Sequence, residues 1–71
     1  MVSPMTSVTD RVMGAITSEP LLKDAKIDAA FERGVVTLTG TVKTEDARQT
    51  AEQIARQQQG VVMVVNELRV A

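Results

Sequence analysis

Apolar positions along the 71-residue chain recur with two different periods, and the switches between them mark out five elements. Val8, Val12, Ala15 and Ile16 fall at helical spacing, so a first helix is predicted over 8–18, with Asp10, Arg11 and Thr17 turned away from its apolar stripe. Ser7 is placed to cap it, and Asp10 at the third helical position suits the positive end of the helix dipole. Gly14 lowers helix propensity by about 1 kcal/mol and is expected where the helix comes close to a neighbour. Pro20 disfavours the helical conformation at Glu19 and ends the element, and Leu21 and Leu22 are expected to fold back as a lid on the core.

From Ile27 the period becomes two. Ile27, Ala29 and Phe31 alternate with Asp28, Ala30 and Glu32, the pattern of a half-buried strand. Arg33 and Gly34 form a short link in which glycine is free to take a positive φ, and a second strand is predicted over 35–42, completing an antiparallel hairpin. Val36, Leu38 and Val42 share one of its faces with Gly40; Val35, Thr37, Thr39 and Thr41 share the other. Glycine is a weak strand residue, so Gly40 is expected at a bulge or under a closely approaching helix. Thr44 is a good N-cap, Glu45 and Asp46 follow in the first turn, and a second helix is predicted to run to about residue 59, where Gly60 stands as a left-handed stop. Ala47, Ala51, Ile54, Ala55 and Gln58 share a face of it, while Arg48, Glu52 and Arg56 form an exposed i, i+4 ion-pair ladder. The last strand is predicted over 61–70, and its VVMVV run suits a strand covered on both sides at its start.

The order α, β, β, α, β predicts a single α+β domain over 8–71 after a flexible segment at 1–7. Its architecture is an αββαβ sandwich: a three-stranded mixed sheet, one pair antiparallel and one parallel, with two helices packed on one face. A chain of this length supports one small core. It has no cysteine and no histidine, so disulfides, thiolate or imidazole metal ligands and a base near neutral pH are all missing. Eight Lys and Arg against nine Asp and Glu give a net charge of -1, and Phe31 is the sole aromatic. That is not the footprint of a nucleic-acid binder, which needs a basic surface and stacking platforms. No long apolar run predicts a membrane span, and the amino end lacks the basic and apolar regions of a secretory signal. The chain as given therefore reads as a soluble cytoplasmic protein, or as a periplasmic one if it was processed or excised.

Four segments in this order resemble the BON domain, the module named for bacterial osmotically inducible and nodulation proteins. They are DRVMGAITSEPLL at 10–22, GVVTLTGTV at 34–42, DARQTAEQIA at 46–55 and GVVMVVNELRV at 60–70. They look like the family's first helix and proline-leucine turn, its hairpin glycine and second strand, its alanine-rich helix and its closing strand. The resemblance spans about 9–70 and implies a compact αββαβ module of envelope or stress-related proteins, osmotic stress among them. It implies binding instead of catalysis, with phospholipid surfaces the usual partner and potassium a ligand where a BON domain stands beside a LysM module. This sequence holds one copy and no LysM segment. The family has no agreed catalytic motif, so no catalytic residues are carried over.

The residues themselves offer two candidate surfaces. Leu21, Leu22, Lys23 and Lys26 form the nearest approach to an amphipathic, lipid-binding patch, its two lysines worth about 1 kcal/mol each at an anionic surface. The uncovered sheet face, with Ala30, Val35, Thr37, Thr39, Thr41 and Val65, is small, β-branched and weakly polar, suited to a neighbouring protein domain or to a second copy in a homo-oligomer. Gly34, Gly40 and Gly60 lack phosphate-binding spacing and are read as backbone geometry, and Asn66 as a side chain that satisfies backbone groups at a helix end or loop. Glu45 and Asp46, or Asp28 and Glu32, are the nearest acidic pairs, and both are read as solvated charge. No catalytic site, side-chain metal site or cofactor is expected; a cation held by backbone carbonyls leaves no trace in a sequence, so calcium or potassium binding stays open.

Overall fold

A computed structural model of the chain describes residues 8–71. The N-terminal segment 1–7 and the Ser7 cap lie outside the described residues. The elements are α1 (Val8–Thr17), a 3-10 turn (Pro20–Leu22), β1 (Lys26–Glu32), β2 (Val35–Val42), α2 (Glu45–Arg56) and β3 (Met63–Val70). The strands form one mixed sheet in the order β1-β2-β3, antiparallel between β1 and β2 and parallel between β2 and β3.

Alternation along each strand decides which side faces the helices. Val36, Leu38 and Val42 of β2 and Leu68 of β3 point inward and cluster with Val12 and Ile16 of α1 and Ala47, Ala51 and Ala55 of α2. The alanines, 0–2% exposed, let α2 lie close on the sheet. Burial of this one apolar face is the main stabilising term, since such small domains bury little else. Local signals agree with it. Glu19 is extended, as the residue before Pro20 must be. Thr44 Oγ1 accepts the Ala47 N–H at 3.1 Å, a cap worth about 1 kcal/mol. At the hairpin, Arg33 as well as Gly34 has positive φ, 54° and 85°, so both residues take the primed-turn geometry that matches strand twist.

Several sequence expectations are corrected. Gly14 is not a close-approach point; it sits on the exposed side of α1, with no described atom within 4 Å of an added Cβ. Gly40 has neither a helix nor a bulge against it, because the close approach comes from the β1 backbone: an added Cβ would stand 1.9 Å from the Lys26 carbonyl oxygen. Helix α2 stops at Arg56 with Gln57 as cap, and Gly60 (φ 96°) serves a separate turn closed by the Val61 N–H on the Gln58 carbonyl at 3.2 Å. Strand β3 begins two residues later than expected because its register starts at Val35, the first residue after the hairpin turn; Val62 has no strand opposite it. Val62 and Met63 are therefore 85% and 56% exposed instead of covered on both sides, their N–H groups both donating to the Gly34 carbonyl at 2.7 and 3.1 Å.

Candidate functional site

Strand register arranges the outer sheet face in four rows. They are Glu32, Val35, Met63; Ala30, Thr37, Val65; Asp28, Thr39, Glu67; and Lys26, Thr41, Arg69. The face therefore grades from an apolar end at the hairpin turn, through a threonine stripe, to an acidic row and then a basic one. Ala30, Val35, Thr37, Thr39, Thr41 and Val65 all lie on it, half-buried or exposed. Ala30, Glu32, Arg33, Val35 and Thr37 line a shallow hollow at its apolar end. Sequence reasoning missed Met63, which sits at the same parity as Val65 and extends the apolar end across β3. The alternation that placed Val65 would have found it, had the VVMVV run not been read as covered on both sides.

The expected lipid patch is not brought together. Leu22 is 3% exposed and belongs to the core, whereas Leu21 is 50% exposed. Lys26 points from β1 to the outer face beside Thr41, in the basic row with Arg69. Lys43 takes its place near Leu21 and Lys23, lining with Pro20 and Asp24 a hollow over the 3-10 turn, its Nζ 3.6 Å from Asp24. The expected lid holds for Leu22 alone: adjacent residues of a 3-10 turn face different ways, so only one leucine of the pair reaches the core.

Asn66 ties β3 to the middle of α2, not to a helix end. Its Nδ2 donates to the Arg48 carbonyl at 3.0 Å and to Glu52 Oε1 at 3.2 Å, and its Oδ1 accepts the Leu68 N–H at 3.1 Å. Glu52 is thereby shared between Asn66 and Arg56 at 2.8 Å, while Arg48 turns to Glu45, so the predicted ladder splits into two pairs. The Arg48 and Gln49 hydrogen bonds hold the Glu45 carboxyl below its ordinary range, and the bond to Glu45 raises Arg48. This support for α2 is present above the usual carboxylate range and is lost as pH falls through the lowered Glu45 value, a small effect on an exposed pair. Asn66→Ala should cost about 1–2 kcal/mol in urea unfolding by removing these bonds. Asn66→Asp should cost more than Asn66→Ala at pH 7, since the new carboxylate faces Glu52 and a carbonyl without a donor. The excess should shrink in acid, where a protonated aspartate no longer repels Glu52 and regains a donor.

Gly34 closes the hairpin, where an added Cβ would meet Val62 Cγ2 at 2.9 Å; Gly60 lies beside Val8 and Arg11. Among the described residues no polar side chain is buried, no three acidic groups cluster as metal ligands, and no helix is long and apolar enough to cross a membrane.

Fold and surface together define a class: a small α+β module whose sheet carries helices on one face and, among the described residues, leaves the other open. The chain belongs to the BON-domain family, whose model matches residues 6–71. A search of curated proteins finds no match to the chain.

Proposed function

We propose that the chain is a non-enzymatic binding module that docks a partner protein on the outer face of its sheet, centred on the apolar end formed by Ala30, Val35, Thr37, Met63 and Val65. The observation that supports this reading is that outer face, on which Met63 is 56% exposed at the apolar end. β-branched and small residues present area with little side-chain entropy to lose, and the charged rows supply a polar rim. A photo-crosslinking amino acid at Thr39 tests it. The expected result is a discrete protein adduct that is absent when the probe sits at exposed Gln53 of α2 and is lost on Val35→Glu. Equal adducts from both positions, or none from Thr39, would overturn the reading.

One observation favours a second reading, docking on an anionic phospholipid surface: half-exposed Leu21 shares a hollow over the 3-10 turn with Lys23 and with Lys43, the latter paired with Asp24. Two cations beside one leucine give weak, salt-sensitive attachment. Flotation with phosphatidylglycerol vesicles at low salt, lost on Leu21→Ser, is the expected signature, and recovery equal to that with zwitterionic vesicles counts against it. A role in osmotic stress and the small-cation reading follow from the family resemblance, and no described arrangement of side chains adds to them.

A further inference from the structure

Strand β1 is a sheet edge, and among the described residues no strand lies beyond it. The two-residue turn makes Glu32 and Val35 a hydrogen-bonded pair, so by alternation Lys26, Asp28, Ala30 and Glu32 direct their backbone groups at β2. Ile27, Ala29 and Phe31 then present their N–H and C=O groups to the open edge. On the opposite edge, the Leu68 N–H of β3 is already taken by Asn66. Lys26 and Glu32, at the two ends of β1, have no ion-pair partner among the described residues.

We propose that β1 is a self-complementary edge through which two copies of this chain join their sheets antiparallel into one. The register follows from the sequence KIDAAFE read against itself. With Ala29 opposite the partner's Ala29, the outward-pointing residues meet one another: Ile27 faces the partner's Phe31, and Phe31 faces the partner's Ile27. Both bonds of each such pair can form. Lys26 then lies opposite the partner's Glu32 on the outer face, twice by symmetry, and Asp28 lies opposite the partner's Ala30. The neighbouring registers that keep the hydrogen-bond parity are penalised by charge. Sliding one way sets Asp28 against the partner's Asp28; sliding the other sets it against the partner's Glu32.

The inner face fits the same register. Phe31, the sole aromatic, is 37% exposed on the helix side of the edge. Ile27 lies beside a hollow between α1 and the start of β1, lined by Met13, Ile16, Thr17, Leu22 and Ala25. Pairing brings the partner's Phe31 against Ile27 at this hollow, burying an apolar ring that the monomer leaves half out. A continuous six-strand sheet would also present two outer faces side by side, which raises the avidity of any partner bound there.

Sedimentation of the full chain over a range of concentration, with amide exchange read by NMR, tests the proposal. A monomer–dimer equilibrium is expected, with concentration-dependent protection at Ile27, Ala29 and Phe31. Lys26→Glu and Glu32→Lys should each weaken it about tenfold by turning two attractive pairs repulsive, and the double exchange should restore it. A monomer at every concentration overturns the edge and leaves the outer-face reading standing, since that face is a different surface. A dimer with protection or shifts at Val35, Thr37 and Met63 instead of the β1 amides also overturns it, as does a double exchange no tighter than its parents.

Discussion

Gly40→Ala should leave the chain largely unfolded. The new methyl would stand 1.9 Å from the Lys26 carbonyl oxygen and 2.9 Å from its carbon, both backbone atoms, at a residue whose φ is 128°. Relief would require β1 to move away from β2, yet Lys26 and Ile27 are held by pairing with Thr41 and Gly40. Left-handed strain alone costs about 1–3 kcal/mol, and the displaced strand end brings the loss to on the order of 3–5 kcal/mol. A core of this size supplies about that much in all. Gly14→Ala is the control, because its Cβ meets nothing and α1 gains up to about 1 kcal/mol of helix propensity. Circular dichroism with urea titration of both variants checks the pair; a Gly40→Ala protein within 1 kcal/mol of the parent would mean that β1 does not sit so close.

These two glycines also show what the sequence can and cannot carry. Both were legible as residues weak for their element, but the neighbour of Gly40 is a carbonyl fourteen positions back, and nothing local names it. The elements themselves were legible because period and cap are local: Val12 and Ile16 at helical spacing, Ile27 to Phe31 in alternation, Thr44 with acids behind it. Their ends were less so. The start of β3 is set by the register that pairs Val35 with Met63, a tertiary fact that a run of β-branched residues does not encode. The same limit governs the candidate surfaces. The outer face follows from strand parity, so its six expected residues were found together, whereas the leucine-lysine patch depended on how a 3-10 turn packs, and the fold divides it among core, turn and sheet. Arg48 had two acids within helical reach, Glu45 and Glu52, and Asn66 from a distant strand occupies the second.

Leu38→Ala and Thr39→Lys, one residue apart on β2, should have opposite consequences. Leu38 is fully buried on the central strand and is among the largest core side chains, with Ala29 and Asn66 as its cross-strand neighbours. Truncation removes its transfer free energy and leaves a cavity that the strands on both sides cannot close, at a cost of about 2–5 kcal/mol. That is most or all of the stability such a core provides, so the far-ultraviolet spectrum should lose its folded signature and urea unfolding its cooperativity. Thr39 faces outward between Asp28 and Glu67. A lysine there meets two acids in water, so folding stability should change by no more than about 0.5 kcal/mol. What should change is binding: a long cation in the middle of the threonine stripe obstructs any protein laid flat on the face. It leaves the β1 edge, where Lys26 and Glu32 act, untouched. With the crosslinking residue moved to Thr37 on the same face, a folded Thr39→Lys protein that still dimerises but no longer gives the outer-face adduct would separate the two surfaces; an unfolded one would mean that the outer face is part of the core after all.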